Sequence, residues 1–215
     1  MQITSAISTH AIEWSYGEYV EPLSIHVVQA DDATVMIGGG DESIADEVLD
    51  VARAHEIDVV LVEHAHIDHY GAVPPLQDTL GVDVAIPERD ADALRAAGIQ
   101  PDVTLEDGEK RWGIEAISTP GHTPGNMAYR TDEVLLAGDT VVGSDSVFAA
   151  SEDWSGPLAI IEARFNTDDA RARQSISHLR EFDIETVLLS HGTHVLEDAD
   201  GAIEGLCGDL EACTG

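Results

Sequence analysis

The sequence predicts an α/β protein, and three observations carry that prediction. Short β-rich runs recur along the whole chain. Stretches with helical periodicity lie between several of them. Most of the runs stop at glycine, proline or an acidic turn, which keeps each element short and makes strands and helices alternate.

In chain order the strand candidates are SIHVV at 24–28, ATVMI at 33–37, DVVLV at 58–62, VDVAI at 82–86, IEAIS at 114–118, NMAYR at 126–130, EVLLA at 133–137 and TVLLS at 186–190. Their branched apolar side chains suit a pleated, buried surface. Two helical stripes are clear. Ile44, Val48 and Val51 step by four and three residues, as do Ala172, Ile176 and Leu179, and each stripe follows an acidic turn. Residues 143–167 hold Phe148 and Trp154 among turn formers with no periodicity. A loop of that length inside a compact domain is often functional.

A chain of 215 residues buries roughly 70% of the surface its unfolded form exposes, enough for a sizeable core. No Gly, Ser and Pro-rich linker divides it, so one domain spanning residues 1–215 is expected. Cys207 and Cys213 give no disulfide framework, and their spacing puts them about 120° apart around a helix, unsuited to one shared metal site. The opening MQITSAISTH has neither the charged nor the apolar region of a secretory leader. No stretch approaches the roughly 18 apolar residues of a membrane span. A cytoplasmic protein with no membrane partner is expected.

Charge is the unusual feature of the composition. There are 42 Asp plus Glu against 10 Lys plus Arg, a net charge of −32, and Lys110 is the sole lysine. Such a chain repels phosphate backbones, so no nucleic-acid partner is expected. The acids are spread evenly, 22 in residues 1–107 and 20 in 108–215, which describes a solvated surface and not a binding tail. A hydrophobic content of 43% excludes a disordered acidic chain.

The chemistry gathers at LVEHAHIDHYGA, residues 61–72, where three histidines and an aspartate fall within six positions behind an apolar run. One histidine in such a place is ordinary. Four ligand-type side chains are not. The run reads as a buried strand, so the cluster emerges at its C-terminal end, where α/β folds place their ligands. On extended backbone His64 and His66 would send both rings to one face, and Asp68 and His69 follow as the chain turns toward Gly71. Extended spacing for one pair and turn spacing for the other can serve two adjacent cations.

Further candidates follow downstream, each just past an apolar strand. His122 sits in TPGHTPGN, a turn made rigid by two Pro-Gly pairs. Asp139 follows VLLAG, and His191 ends TVLLS. Imidazole and carboxylate without thiolate suit zinc, and also manganese or iron. Two cations about 3.5 to 4 Å apart can share a water, lower its pKa and steady the oxyanion formed when it attacks. Hydrolysis of a small-molecule substrate is the natural consequence.

In order and context, HxHxDH at 64–69, the single His122, Asp139 and His191 resemble the metallo-β-lactamase-fold metallohydrolases, and the resemblance covers nearly the whole chain. TPGHTPGN is most similar to the glyoxalase II-like, lactonase-like and persulfide dioxygenase-like branches. The resemblance implies an αββα sandwich of two mixed sheets flanked by helices, with metals at one edge. By it His64, His66 and His122 hold one metal, Asp68, His69 and His191 the other, and Asp139 bridges them. It implies two divalent ions, zinc foremost with iron or manganese as alternatives, and a metal-bridged hydroxide that attacks an ester, thioester or lactone. Asp68 would be the catalytic side chain that orients the water or carries its proton. A second reading within the resemblance is a mononuclear iron persulfide dioxygenase-like oxidoreductase using His64, His122 and Asp139. A non-catalytic relative is a third, opposed by the intact ligand set.

Two departures concern the surroundings of the ligands. The family often carries Thr or Ser before the first histidine, where this chain has Glu63, and Asp-Ser/Thr-Gly at an earlier strand end, where it has Gly38, Gly39 and Gly40. No basic cluster suited to a glutathione carboxylate can be read. His194, three residues after His191, is expected beside the site or on the surface. Tyr70 and Asn126 neighbour ligands and would either touch substrate or pack.

The charge also predicts a salt-loving source, because a surface this acidic repels itself and salt near 1 M shortens that repulsion to about 3 Å. The melting temperature should rise from low to molar salt, a trend that thermal denaturation across a salt series would show; a flat profile would contradict it.

Overall fold

An uninterrupted apolar strand has no face to give to solvent, and a computed structural model of the chain buries such strands on both sides. Residues 1–30 and 32–213 are described, the Cys213 side chain excepted. The first sheet runs β1 (Ile7–Tyr16), β2 (Tyr19–Gln29), β3 (Thr34–Ile37), β4 (Val59–Leu61), β5 (Asp83–Pro87) and β6 (Val103–Leu105) in spatial order. It is antiparallel through β3 and parallel from β3 to β6. The next strands are β7 (Lys110–Arg111), β8 (Ile114–Ser118), β9 (Met127–Thr131) and β10 (Val134–Leu136), then a small ribbon of β11 (Val142–Gly143) and β12 (Leu158–Ala159), then β13 (Thr186–Leu188). The second sheet has the order β13-β10-β9-β8-β7, with β10 and β13 parallel.

Helices cover both outer faces: α1 (Ala45–His55), the single turn α2 (Ile67–Tyr70), α3 (Val73–Leu80) and α4 (Ala91–Ala96) come from the first half, α5 (Asp169–Ile176) and α6 (Ala199–Cys213) from the second. Alternation along each strand assigns side chains to layers. Val35, Ile37, Val59, Leu61 and Ala85 meet Ala116, Tyr129, Leu136 and Leu188 between the sheets. Met36, Val60, Val84 and Ile86 point the other way, onto Val48 and Ala52 of α1, Leu76 of α3 and Leu94 of α4. Ile117, Leu135 and Val187 pack on Ile176 of α5 and on Ile203 and Leu206 of α6. Three apolar layers between four structural layers make the αββα sandwich that the resemblance implies.

All eight expected strands and both helical stripes are present, and the additions have physical causes. β1 is half polar, with Ser8 and Thr9 buried among its apolar residues, and so lacks a dense branched run. α3 opens on Pro74 and Pro75, which the first turn accommodates because its N–H groups have no helical partner. The 143–167 stretch contains β11's end, β12 and a 3-10 turn at Ala163–Phe165. Cys207 is buried in the α6 layer, and the Cys213 side chain lies outside the described residues. Among the described residues no helix is long and apolar enough to cross a membrane.

At one edge the sheets are joined by hydrogen bonds as well as by packing. The Met127 amide donates to the Glu63 carbonyl at 3.1 Å and Ser24 to that of Ser190 at 2.9 Å. The Tyr129 hydroxyl, wholly buried, donates to the Val62 carbonyl at 3.0 Å. Tyr129→Phe should therefore leave a buried carbonyl unsatisfied and cost about 1 to 3 kcal/mol, read as a lower midpoint in urea denaturation with an unchanged slope.

Candidate metal centre

The joined edge is where the ligand-type side chains collect. β4 ends at Leu61 and residues 63–65 form a bend, so His64 and His66 converge through that bend and not by the strand alternation expected. Their rings lie 4.8 Å apart. One turn of α2 then presents Asp68 and His69. Gly71 closes that turn because a side chain there would come within 2.6 Å of the Ile67 carbonyl. In the β8–β9 turn, Gly121 has φ +135°, and a Cβ would lie 2.1 Å from the Ala172 amide of α5, so only glycine lets the turn seat His122. Asp139 follows β10 and His191 follows β13.

The seven residues form two groups whose potential ligand atoms lie within 4.8 Å of one another: His64, His66 and His122 in one, Asp68, His69, Asp139 and His191 in the other. Asp139 faces both. Its Oδ2 is 3.2 Å from His122 Nε2 and 3.9 Å from His64 Nε2, while Oδ1 is 3.3 Å from His69 Nε2 and 3.7 Å from His191 Nε2. Asp68 Oδ2 lies 3.3 Å from His191 Nε2.

Whether cations fit can be tested on the outer nitrogens of the rings. His69 Nδ1 sits 3.2 Å from Glu63, His191 Nδ1 3.0 Å from Glu21, and His122 Nδ1 3.0 Å from the Asn166 side-chain oxygen. Each acceptor draws the N–H outward and turns the Nε2 lone pair toward the centre, as ligation requires. His122 Nε2 and His64 Nε2 face each other at 3.1 Å, and buried His69 Nε2 and Asp139 Oδ1 have no hydrogen-bond partner. These donors fit two divalent cations.

The groups differ electrostatically. Burial and the neighbouring imidazoles of His69 and His122 hold His64 well below the usual histidine range, and burial with His122 pushes His66 down to about 4. Burial acts the same way on His69 and His191, but carboxylates outweigh it. Asp139, Glu63 and Asp68 hold His69 well above its usual range, and Asp139, Asp68 and Glu21 raise His191 to about 9.

Glu63, the departure noted in the sequence, is thus the orienting partner of His69 and is wholly buried. Asp90 is a support that the sequence reading missed. It is buried, and accepts from the Ala65 amide at 3.0 Å, the Thr123 hydroxyl at 2.6 Å and the Gly125 amide at 2.7 Å. It ties the loop of His64 and His66 to that of His122. Nothing in the sequence sets Asp90, or Glu21, apart from the other acids.

The remaining candidates fall outside the ligand set. His194 accepts from the Leu189 amide at 3.1 Å and faces Thr9 Oγ1 at 3.2 Å. Asn126 is buried and donates to Thr119 and Thr140, a packing role, and Tyr70 packs on the first outer layer. Over the two groups opens a cavity of about 250 Å³, walled by Trp14, Tyr16, Phe148, Ile161, Arg164 and Phe165. The 143–167 stretch supplies four of these.

Two expectations follow. Asp90→Asn keeps the shape but loses an acceptor, and should weaken metal binding at the His64 group by about 10- to 100-fold, seen as loss of one metal per chain at lower chelator concentration. Binding should also depend on pH unequally. A cation must displace a proton from His191 below about pH 9, so affinity at that group should rise with pH and release protons. At the other group His64 and His66 are held low and should release no proton near neutral pH. Calorimetry in buffers of different ionisation heat reads the difference, and equal release at both groups would contradict it.

Comparison with known proteins agrees with this geometry. The family model described as Metallo-beta-lactamase superfamily matches residues 19–191. A hydroxyacylglutathione hydrolase of Shewanella oneidensis is 31% identical over 129 residues, covering 54% of this chain and 47% of that protein. A Bacillus velezensis protein named as a probable polyketide biosynthesis zinc-dependent hydrolase is 34% identical over 99 residues, 41% of this chain and 43% of its own length. The chain spans about half the length of the curated relatives it matches. Among solved structures, a metallo-beta-lactamase from Pontibacter korlensis superposes with a TM-score of 0.78 at 20% identity, covering 98% of this chain and 97% of the other. A flavo di-iron protein from Thermotoga maritima gives 0.73 at 19% identity, covering 94% and 59%. With four fifths of its length matched by the family model, and the same sandwich in its structure, the chain belongs to the metallo-beta-lactamase superfamily.

Proposed function

We propose that the chain is a dinuclear metal-dependent hydrolase acting on a small ester, thioester or lactone. The carrying observation is Asp139, which turns one carboxylate oxygen to each histidine group. The names of its relatives, hydroxyacylglutathione hydrolase and probable zinc-dependent hydrolase, support the reading. Two bound divalent cations, for which zinc suits the donor set, would supply Lewis acidity and a water that ionises near neutral pH.

The protein's own groups do the rest. Ser, Cys and Lys are absent from the cavity wall among the described residues, and the acids and histidines there are the candidate ligands, so this reading assigns the attack to water. Asp139 also borders the cavity, but its side chain is only 3% exposed and both of its oxygens face histidines. Asp68 is different. Its side chain is 15% exposed and lines the cavity, so it can orient the water and pass a proton toward the leaving group. A mononuclear iron oxygenase using His64, His122 and Asp139 would leave Asp68, His69 and His191 idle, although Glu63 and Glu21 orient those two histidines. That arrangement favours the dinuclear reading.

Protein purified without added metal should hold about two zinc ions per chain by elemental analysis. With zinc-loaded enzyme, Asp68→Asn should lower kcat on a thioester or lactone by about 10²-fold or more and change KM less. One iron per chain, with oxygen uptake in the presence of a persulfide and no hydrolysis, would overturn the proposal.

A further inference from the structure

The structure assigns this cavity to an uncharged ester or thioester that carries an aromatic or similarly flat apolar group close to the scissile carbonyl, in preference to an anionic conjugate such as a glutathione thioester. The inference rests on the hydrolase reading and deepens it. It stands on the placement of aromatic rings and on the state of the one strong cation in the wall.

The chain has only 3 Trp, 4 Tyr and 3 Phe. Five of these ten form one continuous strip: Trp14, Tyr16, Phe148 and Phe165 line the cavity, and Tyr19 stacks on Phe148. Ring centroids are 5.0 Å apart for Tyr19 and Phe148, 5.6 Å for Phe148 and Phe165, 5.9 Å for Trp14 and Phe148, and 6.1 Å for Trp14 and Tyr16. The strip starts at a ligand, since Phe148 lies 4.8 Å and Trp14 5.7 Å from the His191 ring. It ends at Tyr16, which is 50% exposed. At the ligand end Trp14 and Phe148 are only 5% and 4% exposed yet still line the cavity, Phe165 is half-buried, and Tyr16 opens to solvent. A flat apolar group one or two atoms from the carbonyl would stack on it.

Arg164 is the wall's only Arg or Lys among the described residues. Its Nε is 3.0 Å and its Nη2 3.1 Å from the Glu162 carboxylate, so the charge is compensated in a two-pronged pair. The same guanidinium lies over the Phe165 ring at 4.8 Å and the Tyr19 ring at 5.2 Å. Its work is to brace the strip. A glutathione conjugate brings two carboxylates and, among the described residues, would find no unpaired Arg or Lys in this wall to receive them.

The test compares phenylacetyl and acetyl thioesters of two thiols, neutral N-acetylcysteamine and glutathione, on the metal-loaded protein. Phenylacetyl-N-acetylcysteamine should have the highest kcat/KM, by about 10-fold or more over both its acetyl counterpart and phenylacetyl-glutathione, as burial of one ring allows. Phe165→Ala should shrink the phenylacetyl advantage through KM. Glu162→Gln releases Arg164 and should narrow the gap between the glutathione and neutral thioesters several-fold. Preference for the glutathione thioesters, or no phenylacetyl advantage, would overturn this inference and leave the hydrolase reading standing. Calorimetry with phenylacetate against acetate separates the converse case. Phenylacetate binding that Phe165→Ala abolishes, without hydrolysis of any thioester, would retain the pocket assignment and remove the hydrolase reading; absence of both would remove both.

Discussion

The carboxylate of Asp139 is the constraint on which this architecture turns. It is buried, and it stands between two sets of imidazoles, each drawn from both sheets. An unpaired carboxylate in such a place would cost many kcal/mol, so the fold must bring positive charge to both of its oxygens. The first sheet delivers four ligand-type residues after β4, and the second delivers His122, Asp139 and His191 from three separate connections. No single segment could assemble the site. It exists only while the two sheets keep their relative position, and the Met127, Tyr129 and Ser24 hydrogen bonds fix that position at the edge where it matters.

Around this centre the supporting side chains are unequal. His69 and His191 lean on Glu63 and Glu21, full carboxylates, whereas His122 leans on the neutral amide of Asn166. A carboxylate behind a histidine makes its ligating nitrogen more basic. With Asp68 and Asp139 also present, the second group is the more anionic, and the first is held mostly by neutral imidazoles. Replacing the hydroxyl residue common before the first histidine by Glu63 therefore moves negative charge toward one metal position, while Asp90 gives the other its geometric rigidity through three hydrogen bonds.

Legibility in the sequence divided along the same physical lines. The strands with both faces buried were plain because every side chain in Val59–Leu61 or Val134–Leu136 must be apolar. The seven ligand-type residues were legible because Asp139 and His191 stand just behind such strands, His64, His66, Asp68 and His69 cluster after another, and His122 sits in a Pro-Gly turn after β8. β1 was not, since an edge strand with buried Ser8 and Thr9 carries no apolar run. α3 hid behind Pro74 and Pro75, which signal a break by composition and a first turn by position. α6 was obscured by its glycines, which lower helix propensity, and is held by packing of Ile203, Leu206 and Cys207. Orienting residues were hardest of all. Their role depends on where an acid lands in three dimensions, and a chain with 42 acids offers no contrast against which Glu21 or Asp90 could stand out.

That same excess of acid bears on recognition. Six of the nine arginines, Arg53, Arg95, Arg130, Arg164, Arg173 and Arg180, pair with carboxylates, and Lys110 pairs with Glu115. Exposed pairs of this kind add little stability, typically about 0 to 1 kcal/mol each. Their larger consequence is that positive charge is consumed inside the protein. At the cavity the Arg164 charge is already met by Glu162, so discrimination there rests on two things that acid on the surface does not weaken: the cations that the histidine groups are built to hold, and an aromatic strip whose attraction for a flat apolar group is indifferent to net charge.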